Sequence, residues 1–141
     1  KKTDETGSHC FESADCCEQN NLGSRDCYRS HTVKASNQIA NSLGLPDEKW
    51  EIAYQSRIGP GWLKPFTDKR LAELPKEGNK SIAVVCPSFI SDCLETLEEI
   101  DIRGRKTFSD AGGEKMTYIP CLNETDQTVN LIENLVKKII K

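Results

Sequence analysis

Apolar and polar positions change period several times along the chain. From about Tyr28 to Leu43 a weak helical stripe of Val33, Ile39, Ala40 and Leu43 predicts a helix, which Gly44 and Pro46 end. Trp50 to Gln55 alternates with a period near two and reads as a strand. A glycine/proline loop, Gln55 to Trp62, follows it. Thr67 or Asp68 is placed to cap a short helix through Leu71 and Leu74, interrupted by Pro75 and stopped by Gly78. Ser81 to Cys86 is a nearly unbroken apolar run, as expected of a parallel strand covered on both faces, and Pro87 closes it. Ser91 or Asp92 opens a helix to about Ile100, and a second short helix covers about Gly104 to Ala111 before Gly112-Gly113. Met116 to Pro120 is a brief strand. Asn123 or Thr125 then caps a final helix with Val129, Ile132, Leu135, Val136, Ile139 and Ile140 at helical spacing.

The resulting order, αβαβααβα, predicts an α/β fold: a parallel sheet flanked by helices, with right-handed crossovers. Three strands leave such a sheet incomplete, so a further strand ahead of Lys1 is expected. The start at Lys1-Lys2 without an initiator Met points the same way, to a chain cut from something longer. The 141 residues suffice for one domain that buries roughly two-thirds of its extended surface. With 36% hydrophobic and 29% charged residues the composition is globular. A net charge of −3 argues against nucleic acid as the main partner. No apolar run reaches the ~20 residues of a membrane span, and no leader pattern signals secretion, so a cytoplasmic protein is expected.

Cysteine usage divides the chain into an irregular loop over 1–27 and an α/β domain over 28–141. Of seven cysteines, Cys10, Cys16, Cys17 and Cys27 fall close together, while Cys86, Cys93 and Cys121 are scattered through packed segments. This clustering suits a metal clip better than a disulfide framework. Zinc prefers C-x2-4-C pairs, and adjacent Cys16-Cys17 fits that knuckle badly because neighbouring side chains diverge in extended backbone. An iron–sulfur cluster accepts four thiolates from irregular loops. Spacing alone leaves cluster, zinc, and disulfides or free thiols open. His9 and His31 flank the loop and could join a mixed site, although surface roles suit isolated histidines as well.

Ligands of open α/β sheets gather at the carboxyl ends of strands, where the loops Ser56 to Trp62 and Pro87 to Asp92 lie. At about 100° per residue, Asp92, Glu95 and Glu99 share one side of the helix after the second loop. Phe89, Ile90, Cys93, Leu94, Leu97 and Ile100 occupy the other. Phe89 to Asp101 contains five acids and no base. A solvated acidic face is the plain interpretation. The functional one is a ladder of carboxylates whose mutual repulsion raises their pKa values, able to accept protons or escort a divalent cation. Trp62 is either a core anchor or a wall for a flat aromatic substrate. No phosphate loop, nucleophile elbow or Ser/His/Asp set is present.

Ser88-Phe89-Ile90-Ser91-Asp92-Cys93-Leu94-Glu95-Thr96-Leu97-Glu98-Glu99-Ile100 resembles the most characteristic stretch of the ferrochelatases. Tyr54-Gln55-Ser56-Arg57-Ile58-Gly59-Pro60 with Trp62-Leu63-Lys64-Pro65 is similar to that family's porphyrin-side loop, and Ile119-Pro120-Cys121-Leu122-Asn123 to its late strand and turn. The resemblance runs from about Tyr28 to Lys141. It implies the carboxy-terminal, chelatase-like and Rossmann-like half of an enzyme inserting Fe²⁺ into protoporphyrin IX in heme biosynthesis. In that half Glu95 is the metal-path acid, Asp92 and Glu99 are its catalytic companions, and Gln55, Ser56 and Trp62 contact porphyrin. The cysteine segment resembles that of bacterial members with an internal four-cysteine set. This implies a 2Fe-2S cluster on Cys10, Cys16, Cys17 and Cys27, and no organic cofactor. The family's catalytic histidine belongs to a motif expected before Lys1, in the partner amino-terminal half, so the chain alone is expected to insert no iron. Cys93 stands where some members carry histidine, and the Gly59 to Trp62 loop is a residue short. A cobalt chelatase, or a non-catalytic iron–sulfur sensor, are the competing expectations.

Overall fold

A computed structural model of the chain describes residues 16–17, 26–55 and 62–140. It divides into two compact units, Lys1–Ile52 and Ala53–Lys141.

In the first unit, helix α1 spans Tyr28–Ser42. Its end follows from one glycine: Gly44 takes φ 65°, its N–H donates to the Asn41 carbonyl at 3.0 Å, and the Leu45 N–H reaches back to Ala40 at 2.9 Å. These two bonds close a Schellman motif on the last turn's carbonyls. Ala40 is buried, whereas Leu43 of the expected stripe is exposed. A single 3₁₀ turn, Asp47–Lys49, follows.

The second unit opens on a correction. The strand expected over Trp50 to Gln55 is one isolated parallel bridge, Tyr54 to Phe66. The Tyr54 N–H donates to the Pro65 carbonyl at 2.9 Å, and its carbonyl accepts from the Thr67 N–H at 3.1 Å. Alternation made the segment strand-like, but no second ladder position among the described residues extends the pairing. Helix α2, Thr67–Glu73, starts from Phe66 with no side-chain cap, so the expected caps Thr67 and Asp68 lie inside its first turn.

Strands β1 (Ser81–Val85) and β2 (Lys115–Ile119) pair in parallel, with Ser81 opposite Lys115 and Val85 opposite Ile119. The expected parallel α/β arrangement is present in this two-stranded sheet flanked by helices. Coverage of β1 on both faces is not. Ile82 and Val84 turn toward the core, while Ser81, Ala83 and Val85 are exposed. Leu71, Ile100, Phe108 and Met116 form that core, with Leu74, Ile82, Val84, Cys86 and Tyr118 packed around it.

The crossover between the strands departs most from expectation. It is one continuous coil: a π-helix, Glu95–Gly104, running directly into helix α3, Arg105–Asp110. The helix expected from Ser91 or Asp92 therefore begins later, and the break expected at Gly104 is absent. Gly104 is buried inside the coil, where a Cβ would lie 2.9 Å from Leu71 Cδ1 and 3.3 Å from the Glu99 carbonyl oxygen. Close packing, and not a helix start, explains that glycine. A wider i→i+5 coil also changes which residues share a face. Thr96, Ile100 and Gly104, four apart, are the buried line. Leu94, Leu97 and Ile90, assigned to an apolar side by 3.6-residue geometry, are exposed.

Helix α4, Asp126–Ile139, is capped by Thr125, whose hydroxyl accepts from the Thr128 N–H at 3.4 Å. Thr128 is buried, but Val129, Ile132, Leu135, Val136, Ile139 and Ile140 are all exposed. No helix among the described residues is long and apolar enough to cross a membrane.

Candidate functional site

Two parallel strands leave their carboxyl ends side by side, and the chain beyond each forms the site. After β1 comes the loop with Asp92 and the start of the π-helix; after β2 comes the turn through Cys121 to Asn123. Asp92 joins them. Its carboxylate accepts from Asn123 Nδ2 at 2.8 Å, the Tyr118 hydroxyl at 2.5 Å and the Cys121 N–H at 3.3 Å. The buried Thr96 hydroxyl accepts from the Cys93 N–H at 2.9 Å, and its oxygen lies 3.1 Å from both an Asp92 carboxylate oxygen and the Cys93 carbonyl, either of which can take its proton. Asn123 completes the clasp by accepting the Asp92 N–H on Oδ1 at 2.8 Å.

These donors overturn the expected electrostatics. Hydrogen bonds from Asn123, then Tyr118, hold Asp92 far below the ordinary carboxylate range. Glu95 is also lowered, first by the Cys93 thiol and then by its own backbone N–H. Hydrogen bonding to the charged form, and not repulsion between carboxylates, governs both. Burial and the Asp92 contact push the Tyr118 hydroxyl up, so it stays a donor.

The third acid takes a separate course. Glu99 accepts a short hydrogen bond from Gln55 Nε2 and lies 3.8 Å from Arg103 Nη2. The Gln55 carbonyl in turn accepts the Trp62 indole N–H at 2.9 Å. Trp62 and Gln55 of one loop and Glu99 of the later coil thus form one chain of contacts. Gln55 and Glu99 also line a small cleft of about 60 Å³ with Arg103 and Thr107. A broader cleft of about 460 Å³ near Phe108 and Lys115 contains none of the predicted residues. Asp92, Glu95 and Glu99 are therefore not one ladder: Asp92 is a saturated clasp, Glu95 an ionised carboxylate at the coil's start, Glu99 part of the aromatic-side chain. Among the described residues, no three Asp, Glu, His or Cys side chains gather around a point that could hold a metal ion. Ser56 lies outside the described residues.

Tyr118, Asn123, Thr96 and Arg103 are residues that sequence reasoning missed. Asn123 carried a signal: it follows a Pro-Cys-Leu turn and adopts φ 50°, a conformation Asn tolerates better than most residues. The three scattered cysteines also converge here. Burial pushes the Cys86 thiol up to about 11, with Cys121, Asp92 and Cys93 adding to it. Burial raises Cys121 as well. The Cys86 and Cys121 thiols are held protonated.

In the first unit Cys16, Cys17 and Cys27 are buried free thiols, and Cys10 and His9 lie outside the described residues. His31 sits within the first turns of α1, its N–H donating to the Cys27 carbonyl at 3.0 Å. Cys16 and Cys17 occupy a turn, and their sulfurs are 4.0 Å apart. Adjacent cysteines here converge because the backbone is not extended. Two thiolates on one tetrahedral ion with ~2.3 Å bonds stand about 3.8 Å apart, so this pair fits one metal. A four-cysteine, two-iron cluster needs such pairs in place of a single cage of three or four side chains. Arg29 Nη1 donates to Cys17 Sγ at 2.6 Å, and the Ser30 hydroxyl to the Cys17 carbonyl at 2.8 Å. Burial raises the Cys17 thiol, with Arg29 opposing.

Comparison with known proteins adds a second line of argument. The sequence pattern of the Ferrochelatase family matches residues 13–139. A ferrochelatase of Pseudomonas fluorescens is 43% identical over 139 residues, covering 97% of this chain and 41% of its own. One of Bdellovibrio bacteriovorus is 45% identical over 131 residues, covering 92% and 39%. The chain thus spans about two-fifths of the length of these relatives.

Proposed function

Because the chain belongs to the ferrochelatase family, we propose that it is the carboxy-terminal part of an enzyme that inserts Fe²⁺ into protoporphyrin IX. The observation that carries this reading is the link from Trp62 through Gln55 to Glu99, which joins an aromatic surface to a carboxylate of the π-helix. Trp62 is 37% exposed, leaving ring surface for a flat macrocycle.

The reaction requires two pyrrole N–H protons to leave as the cation arrives. Glu95, ionised and half-buried beside Cys93, supplies negative charge for Fe²⁺ as substrate and a site for a departing proton. Oxygen ligands hold Fe²⁺ weakly enough to release it to four nitrogens. Glu99, turned toward Gln55, orients the porphyrin side. Asp92 keeps the two loops together and stays ionised without taking protons, since its lone pairs are already engaged. Contacts around Trp62 press on the ring from outside the reacting centre. The partners in this reading are porphyrin, ferrous iron and the remainder of the ferrochelatase fold, in the cytoplasm.

In the same reading residues 1–27 form a cysteine loop holding a 2Fe-2S cluster through Cys10, Cys16, Cys17 and Cys27. The convergent, buried Cys16–Cys17 pair supports it. Such a group supplies one-electron chemistry or a structural clip; the protein's part is to hold it away from water.

Glu95→Gln in the full-length enzyme containing this chain tests the assignment. The expected result is a fall in iron-insertion rate of about 10²–10⁴, the usual worth of a positioned acid or base, with porphyrin binding retained. An unchanged rate would overturn the role of Glu95.

A further inference from the structure

Consecutive residues at the start of α1 grip one cysteine from two directions. Ser30 holds its carbonyl at 2.8 Å and Arg29 its sulfur at 2.6 Å. Cys17 is only 4% exposed, so the contact lies where water screens it little. Arg29 is half-buried, and a guanidinium keeps its charge at any physiological pH.

We propose that Arg29 sets the reduction potential of the cluster by donating a charge-assisted hydrogen bond to the Cys17 ligand sulfur; this rests on the cluster reading above. Hydrogen bonds to ligand sulfurs and local net charge are two levers on such potentials. Reduction adds one electron and no proton to the cluster, with no protein bond made or broken. A fixed cation 2.6 Å from the sulfur therefore favours the reduced state and raises the potential. Ser30 plays a different part: by fixing the backbone of Cys17 it keeps the sulfur within reach of the guanidinium.

The test is a mediated dithionite titration, followed by visible absorption, on anaerobically prepared protein containing this chain, with iron and sulfide measured in every sample. Arg29→Gln should shift the reduction equilibrium toward the oxidised form on the order of tenfold, which is about 59 mV for one electron. Arg29→Lys, which keeps a cation without the planar fork, should fall between that and the parent. Should Arg29→Gln fail to retain iron, the lysine variant decides alone, and a potential equal to the parent's overturns the inference. Full iron and sulfide in Arg29→Gln with an unmoved potential also overturns it, leaving the cluster reading intact. A parent protein without iron and sulfide removes both.

Discussion

The coil between the strands and the helix after β2 make an instructive pair. The coil, Glu95–Gly104 and Arg105–Asp110, has only a modest apolar side on a 3.6-residue wheel, yet it buries Ile100 and Phe108 in the core. Helix α4 has the cleaner apolar stripe of the two, yet six of its aliphatic side chains are exposed. Periodicity measures how well a helix could cover a neighbour; burial depends on whether a neighbour is there. The coil lies over β1 and β2, whose inward residues meet it. Thr128 alone seats α4 among these residues.

The sharpest way to break the contrast is to truncate one side chain in each helix of this chain and follow urea unfolding. Phe108 is 1% exposed and packed against Gly113, so Phe108→Ala should cost about 3–5 kcal/mol. An effect under 1 kcal/mol would mean the coil is not the core-forming element.

A smaller effect, confined to acid, should come from the clasp at the coil's start. Asp92 is depressed in the folded chain from an ordinary value of 3.8 by Asn123 and Tyr118. A depressed carboxylate stabilises the fold above its unfolded pKa, and that contribution is lost as pH falls through the folded value. The melting temperature should therefore drop as pH goes below about 4, and Asp92→Asn should flatten that slope. An identical acid slope in the variant would show that other carboxylates govern it.

The smallest effect belongs to α4. Leu135→Ala should change the stability of this chain by no more than ~0.5 kcal/mol, as surface substitutions do. A loss approaching that of Phe108→Ala would place a covering surface over α4 and dissolve the distinction between the helices.

The same pair of helices explains what was legible in the sequence. Local signals worked where chemistry is local: Gly44 ended α1, Thr125 capped α4, and the apolar run at Ser81 made β1. The π winding was hidden, because an apolar count at 3.6-residue spacing presumes the coil it is meant to find. The fate of Asp92 was hidden for another reason. Its partners Tyr118, Cys121 and Asn123 lie 26 to 31 residues further on, and only strand pairing brings them near. Carboxylates seen only in sequence look like neighbours that repel; their distant donors are invisible there. Gln55, Trp62 and Glu99 were each singled out, but their direct connection required the fold.

Asn123 is determined twice over. Its φ of 50° favours glycine, asparagine or aspartate, while its amide must offer an oxygen to the Asp92 N–H and a hydrogen to the carboxylate. Glycine would meet the first demand and forfeit the second; aspartate would set two like charges face to face. Of the three residues at ease in this bend, asparagine alone also supplies both halves of the grip, so backbone and side chain together fix this turn.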